Sequence, residues 1–398
     1  MPYSRLRASS LASLTVMMAA LVASPLTTLP YEISPRKKVH ETLTLMASDC
    51  LRKARQMATA PTCLPSPPVV RDDMDDKAFK DERPVYETNK LSAVSARELA
   101  EAVRWPDDPT DEVRGRLISR TIFKFIVKMK WQCKEQYSNG MKDGLLCSSH
   151  YGPLQFWHAM ASSSKESTTQ TRDKMLAWAK FLYDVVAGDI LGEDYCRYWK
   201  EQRDKGNGEL ANILAPEKEF PCAGVEEPWK ISTLFSMSCE GPFSSKTCTE
   251  WLDPRLARVT ALGALLHMVQ DSYAQGHASR GMAELIPGTK RVKSKFECLP
   301  INQFYTYGEQ DDKKHRQADF YPQPGLSCTG TSTGVVDPVQ ASATVLWYVQ
   351  QEKGATALAE YLDKYVFLLA EEPEPQAGAG GPCFLKKTPK DDPCPQSK

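Results

Sequence analysis

An apolar run that carries a histidine and leads into an aspartate constrains this chain more than any other segment. Residues 261–269 read Ala-Leu-Gly-Ala-Leu-Leu-His-Met-Val, and the stretch continues through Gln270 and Asp271 to His277. A helix this apolar belongs inside a core, and it takes His267 with it. A buried imidazole needs a partner, because removing a polar group from water without a replacement bond costs roughly 2–7 kcal/mol. Positions four apart share one helical face, so His267 and Asp271 can grip one cation between them. His277 follows Gly276, about a turn and a half beyond Asp271, where its ring can reach a second ion. The same spacing recurs at His315 and Asp319. The chain holds only six histidines, so this recurrence is hard to assign to chance surface pairs. Imidazole combined with carboxylate is a donor set that suits zinc.

The two ends point to export. Arg5 and Arg7 precede an uncharged, largely apolar stretch from Leu11 to Ala23, and Val22-Ala23-Ser24 offers a small-residue cleavage site. Residues 1–24 therefore read as a signal peptide, too short to span a bilayer. The twelve cysteines are spread along the chain without a Cys-x-x-Cys zinc pair. Disulfides in an oxidising compartment, outside the cell or in a periplasm, are the expected fate. Cys133–Cys147, Cys239–Cys248 and Cys383–Cys394 would close short loops, but connectivity is open. Fifty basic residues balance fifty acidic ones, which removes any global attraction to nucleic acid or to an anionic membrane. Residues 371–398 are rich in Pro and Gly and read as a tail. Residues 61–90 are rich in Pro and Asp and read as a long loop.

Between these ends, helical periodicity dominates. Ser95-Ala-Arg-Glu98 is a capping box opening a helix over 95–105. Apolar residues recur at helical spacing over 110–131 and over 172–188. Asp253-Pro254 pairs an N-cap with proline at the first helical position, and that helix runs to Asp271. A final helical pair spans 338–370, broken at Gly354. His40 also lies in a helical pattern. His150 and His158 fall eight residues apart, near one face of a single expected helix. Trp105-Pro-Asp107-Asp108 places two acids at a loop mouth. Strand patterns are short and few, so the expected fold is all-α, a multi-helix domain over 25–370 with long disulfide-stapled loops.

Together these blocks resemble the zinc-dependent phospholipase C and S1/P1 nuclease superfamily. The resemblance rests on His267, Asp271, His277, His315 and Asp319, with His40, Asp107 of Trp105-Pro-Asp107 and His150 as further matches. It covers scattered blocks over residues 31–320. The resemblance implies a helical fold with two or three Zn2+ ions. Two would sit on His40, Asp107, His150, His267 and Asp271, sharing the Asp271 carboxylate; a third would sit on His277, His315 and Asp319. Asp107 and Asp271 would be the catalytic carboxylates. Zinc-activated hydroxide would attack phosphorus in line, with an aspartate as general base. The implied substrate is a phospholipid or another phosphodiester, reached through transient contact with a membrane surface. A single-strand nuclease is the alternative within the family, with Trp157, Tyr195, Phe304, Tyr305 and Tyr307 as candidates for a base-stacking slot. A non-catalytic, disulfide-rich binding protein with a vestigial site is the alternative outside it. The chain departs from the family in two places. No Trp follows the cleavage site, where Tyr31 is the nearest aromatic, and a long insertion holding Cys298 separates His277 from His315. His158 has no family counterpart; it is either a second-layer group or a substitute ligand.

Overall fold

The computed structural model describes residues 39–54, 59–63, 81–107, 145–206, 208–214, 230–238, 249–250, 253–274, 276–280, 284–285, 292–293, 299–307, 310 and 334–373. Helix accounts for 59% of the described residues and strand for 11%, so the protein is mostly helical, as the periodicity predicts. The expected signal peptide, the helix over 110–131, most of the tail, His315 and Asp319 lie outside the described residues.

The described helices are α1 (Val39–Lys53), α2 (Ala96–Ala102), α3 (Leu145–Tyr151), α4 (Thr168–Ala187), α5 (Tyr195–Asp204), α6 (Gly208–Leu214), α7 (Ile231–Ser236), α8 (Pro254–Asp271), α9 (Pro338–Gln350) and α10 (Ala355–Tyr365). The longer strands are β1 (Pro84–Thr88), β2 (Leu91–Ser95), β3 (Ala278–Arg280) and β4 (Ile301–Phe304), pairing antiparallel as β1–β2 and β3–β4.

Helix α8 is the axis. It starts where Asp253 accepts the Arg255 and Leu256 backbone N–H groups and Pro254 takes the first helical position. From Ala257 to Asp271 every residue is buried. Helices α1, α2, α4, α7 and α9 all pack against it, as do short 3-10 turns at Trp105–Asp107 and Gln155–His158. A helix buried on every side has no face on which to leave polar groups in water. The polar residues of α8 must therefore be satisfied from its neighbours.

Local signals place those neighbours. Ser95 and Glu98 form the expected capping box of α2. Ser167 and Gln170 form another at α4, so that helix opens at Thr168, before the apolar stripe that marks it in the sequence. Gly354, at φ 90°, separates α9 from α10. Helix α1 packs on α9 and α2, and the Cys50–Cys63 disulfide ties its last turn to a loop that Gln340 of α9 holds through Pro61 and Cys63. Cys147 and Cys196 are disulfide-bonded too, so no described cysteine is free.

Two expectations need correction. The stretch read as a long loop over 61–90 contains β1, which forms a hairpin with β2 because Val85, Tyr86, Leu91 and Val94 are buried on the core side. His150 and His158 do not share a helix. Gly152-Pro153 stops α3 after Tyr151, because proline lacks the N–H a helix needs and restricts the residue before it. His158 sits instead on the 3-10 turn that follows.

Candidate metal centre

Separate segments converge on the C-terminal end of α8. The first turn of α1 supplies His40, and α8 supplies His267 and Asp271. The 3-10 turn after α2 brings Asp107; the end of α3 brings His150; the turn after it brings His158. The loop entering β3 brings His277. All of these side chains are buried.

Asp271 is the hub. Its Oδ1 lies 3.2 Å from His40 Nε2. Its Oδ2 lies 3.0 Å from His267 Nε2, 3.1 Å from His158 Nδ1 and 3.6 Å from His277 Nδ1. Asp107 Oδ1 lies 3.6 Å from His267 Nε2 and 3.9 Å from His158 Nδ1. Two groups have ligand atoms mutually within 4.8 Å: His40 with His267 and Asp271, and Asp107 with His150 and His158. Each of these groups could hold a metal ion.

The outer contacts aim the rings. His267 Nδ1 donates to the Val103 carbonyl at 2.8 Å, which leaves Nε2 to face the carboxylates. His40 Nδ1 lies 2.8 Å from Gln270 Oε1. The Gln270 amide is oriented by its Nε2, which donates to Thr44 and Ser342 hydroxyls. His40 therefore also turns Nε2 toward Asp271. His277 Nδ1 donates to the His158 carbonyl. That carbonyl is presented by a tight turn in which Ala159 adopts a left-handed conformation, φ 50°. Gln310 pins the same loop through the Gly276 carbonyl at 2.8 Å. Arg280 anchors it through the Ser272 carbonyl and hydroxyl and the Val366 carbonyl. Glu41, next to His40 on the same turn, pairs with Arg104 at 3.4 Å.

The chemistry of this donor set fits a cation. With its Nδ1 proton committed to a carbonyl, which can only accept, neutral His267 presents a lone pair to a carboxylate at 3.0 Å. His40 Nε2 faces the other oxygen at 3.2 Å, and His158 Nδ1 lies 3.0 Å from His267 Nε2 and 3.1 Å from Asp271 Oδ2, so a proton or a cation must sit among these atoms. Acceptors facing acceptors in a dry site repel unless a proton or a metal lies between them. Burial disfavours charge on His267 and on His158 and lowers both pKa values. Burial also opposes charge on His40, but Asp271, Asp107 and Gln270 together outweigh it and raise that pKa to about 9. Asp271 itself is disfavoured by burial, yet the imidazoles of His267, His277 and His40 hold its pKa well below the carboxylate range. Burial raises the pKa of Asp107, whose Oδ1 accepts no hydrogen bond from the protein. A divalent cation satisfies the same atoms without burying several protonated imidazoles side by side; the rings of His40 and His267 stack with centroids 4.0 Å apart.

The structure thus brings His40, Asp107, His150, His267, Asp271 and His277 into one neighbourhood. It adds His158, whose position directly after Trp157 in a buried aromatic run was the available sign that it points inward. The candidate stacking aromatics Trp157, Tyr195, Phe304, Tyr305 and Tyr307 are all buried, so none offers an open slot. Among the described residues no helix is long and apolar enough to cross a membrane. No family model matches the chain, and neither a curated protein nor a solved structure matches it.

Proposed function

We propose that the protein is a secreted, zinc-dependent phosphodiester hydrolase, a member of the phospholipase C and S1/P1 nuclease superfamily, acting on phospholipid head groups. One observation carries the reading: His40, His267 and His158 from separate segments all bring a ring nitrogen to 3.0–3.2 Å from the buried Asp271 carboxylate, a donor set that cations could share. His40 and His267 would hold one ion with Asp271. Asp107, His150 and His158 would hold another. Zinc bound there supplies a Lewis acid for phosphoryl oxygens and brings the pKa of water down to near neutrality.

The protein residues do the rest. Asp271 would serve both groups, because Oδ1 faces His40 while Oδ2 faces His267 and His158. The Val103 carbonyl and the Gln270 amide hold the rings of His267 and His40 in register. Asp107, with an oxygen that accepts no hydrogen bond from the protein and a pKa raised by burial, would serve as the general base toward a water. His277 would begin a third site with His315 and Asp319.

The test is hydrolysis by purified, zinc-supplemented protein. A chromogenic phosphodiester should be cleaved, and a chelator should abolish cleavage. Phosphatidylcholine should then be turned over faster than single-stranded DNA. Preference for DNA would reassign the substrate. No turnover of any phosphodiester would overturn the enzymatic reading in favour of a binding protein.

A further inference from the structure

We propose that Gly263 is a positioning residue of the metal centre: lacking a side chain, it lets α8 seat against the end of α2, and that seat decides which nitrogen His267 offers and where Asp107 stands. The inference rests on the metal-centre reading above and deepens it. A Cβ at Gly263 would lie 2.2 Å from the Ala102 carbonyl carbon, 2.3 Å from its oxygen and 2.6 Å from the Val103 nitrogen. All three are backbone atoms and cannot rotate away. The end of α2 occupies the space a side chain at 263 would need.

The place of this contact matters. Gly263 is four residues before His267, so the two share a face of α8. Val103 is the C-cap of α2, with its N–H bonded back to Leu99. Its carbonyl belongs to the helix end, where the last carbonyls have no partner within the helix. Because α8 sits so close, His267 Nδ1 reaches that carbonyl at 2.8 Å. Nδ1 is thereby the protonated nitrogen, and Nε2 is left for Asp271 at 3.0 Å and Asp107 at 3.6 Å. The turn Trp105–Asp107 leaves directly from the same helix end. One glycine therefore sets a ring tautomer and the position of a second ligand. A methyl group at 263 must drive the backbones apart until its contacts relax beyond 3.0 Å. Neither the hydrogen bond nor the Asp107 distance survives that shift.

The test compares Gly263→Ala with Leu182→Ala, a truncation of a buried α4 side chain that lowers stability and leaves Gly263, Ala102 and Val103 unchanged. Co(II) serves as the metal probe, read by its visible absorption in competition with a chelator. Histidine 15N NMR at pH 8 reads the tautomer in metal-free protein. Wild type should show His267 protonated at Nδ1. Gly263→Ala should lose that signature and bind Co(II) at least about tenfold more weakly, the scale expected when a ligand's orienting partner is lost. Leu182→Ala should melt earlier and keep wild-type affinity. Retention of tautomer and affinity in Gly263→Ala overturns the proposal, as does an equal loss of affinity in Leu182→Ala. Should Gly263→Ala fail to fold, the wild-type spectrum decides: an Nε2–H form of His267 overturns the proposal. Should wild type bind no Co(II), the metal reading fails, and the tautomer of His267 in the two variants still decides the seat.

Discussion

Two buried polar clusters in this protein look alike by burial and differ in chemistry. At the start of α4, Lys174 Nζ sits 2.6 Å from one oxygen of Glu166, and the Thr171 hydroxyl donates to the other at 2.7 Å. Each carboxylate oxygen meets a donor, and the ion pair is closed. Around Asp271 the nearest atoms are imidazole nitrogens from three other segments and its own helix: His267 commits its Nδ1 proton to Val103, while His158 Nδ1 lies within hydrogen-bond reach of both Asp271 and His267 Nε2. Burial of charge alone therefore does not mark a functional site. Several imidazoles converging on one carboxylate, held in place by outer contacts, form a donor set that a cation could use.

The sharpest way to break this comparison is at the hub. Asp271→Ala should empty both candidate groups of metal and remove hydrolysis altogether, with a lower melting temperature, because metal ligation and folding are linked. Elemental analysis beside calorimetry checks this; metal content at the wild-type level would contradict it. The closed pair should behave in the opposite way. Lys174→Met strands a buried carboxylate and should cost about 3–5 kcal/mol in denaturant unfolding, with metal content unchanged. If metal content fell with it, the two clusters would not be independent.

Smaller effects sharpen the contrast. Gln270→Leu leaves every proposed ligand in place but frees the His40 ring, and should weaken metal binding about 10–100-fold in a chelator competition. An unchanged affinity would mean that the amide is incidental. The pH dependence should also separate the clusters. In metal-free protein the His40 pKa is raised to about 9, because the penalty of burial is outweighed by Asp271, Asp107 and Gln270 together. Its contribution to stability is complete below the unfolded value of about 6.5 and is lost as pH rises through 9. Metal must displace that proton, so affinity should climb by up to about tenfold per pH unit below 9. Titrations of metal-free and metal-loaded protein check both signs; an affinity flat from pH 6 to 9 would contradict them.

Much of the frame was legible in the sequence. Asp253-Pro254 and Ser95 with Glu98 announce their helices through local bonds that need no tertiary context. The spacing of His267 and Asp271 carries their shared face with it. Other features depend on contacts between distant segments. The Gln270 amide reaches His40 across 230 positions of sequence, and no local pattern marks it. His158 has no family counterpart, and its spacing from His150 misleads because Gly152-Pro153 ends the helix between them. The β1–β2 hairpin was hidden by the Pro- and Asp-rich stretch before it. Gly263 reads in the sequence as one more small residue in an apolar helix. Only the approach of Ala102 and Val103 gives it meaning.

The central claim is that the cluster around Asp271 is a cation site. Metal stoichiometry by mass spectrometry, on protein purified without chelator and dialysed against metal-free buffer, tests it most directly. The expected result is two to three zinc ions per chain, falling to none in Asp271→Ala. Fewer than two in the unmodified protein, or the same content in the variant, would contradict it.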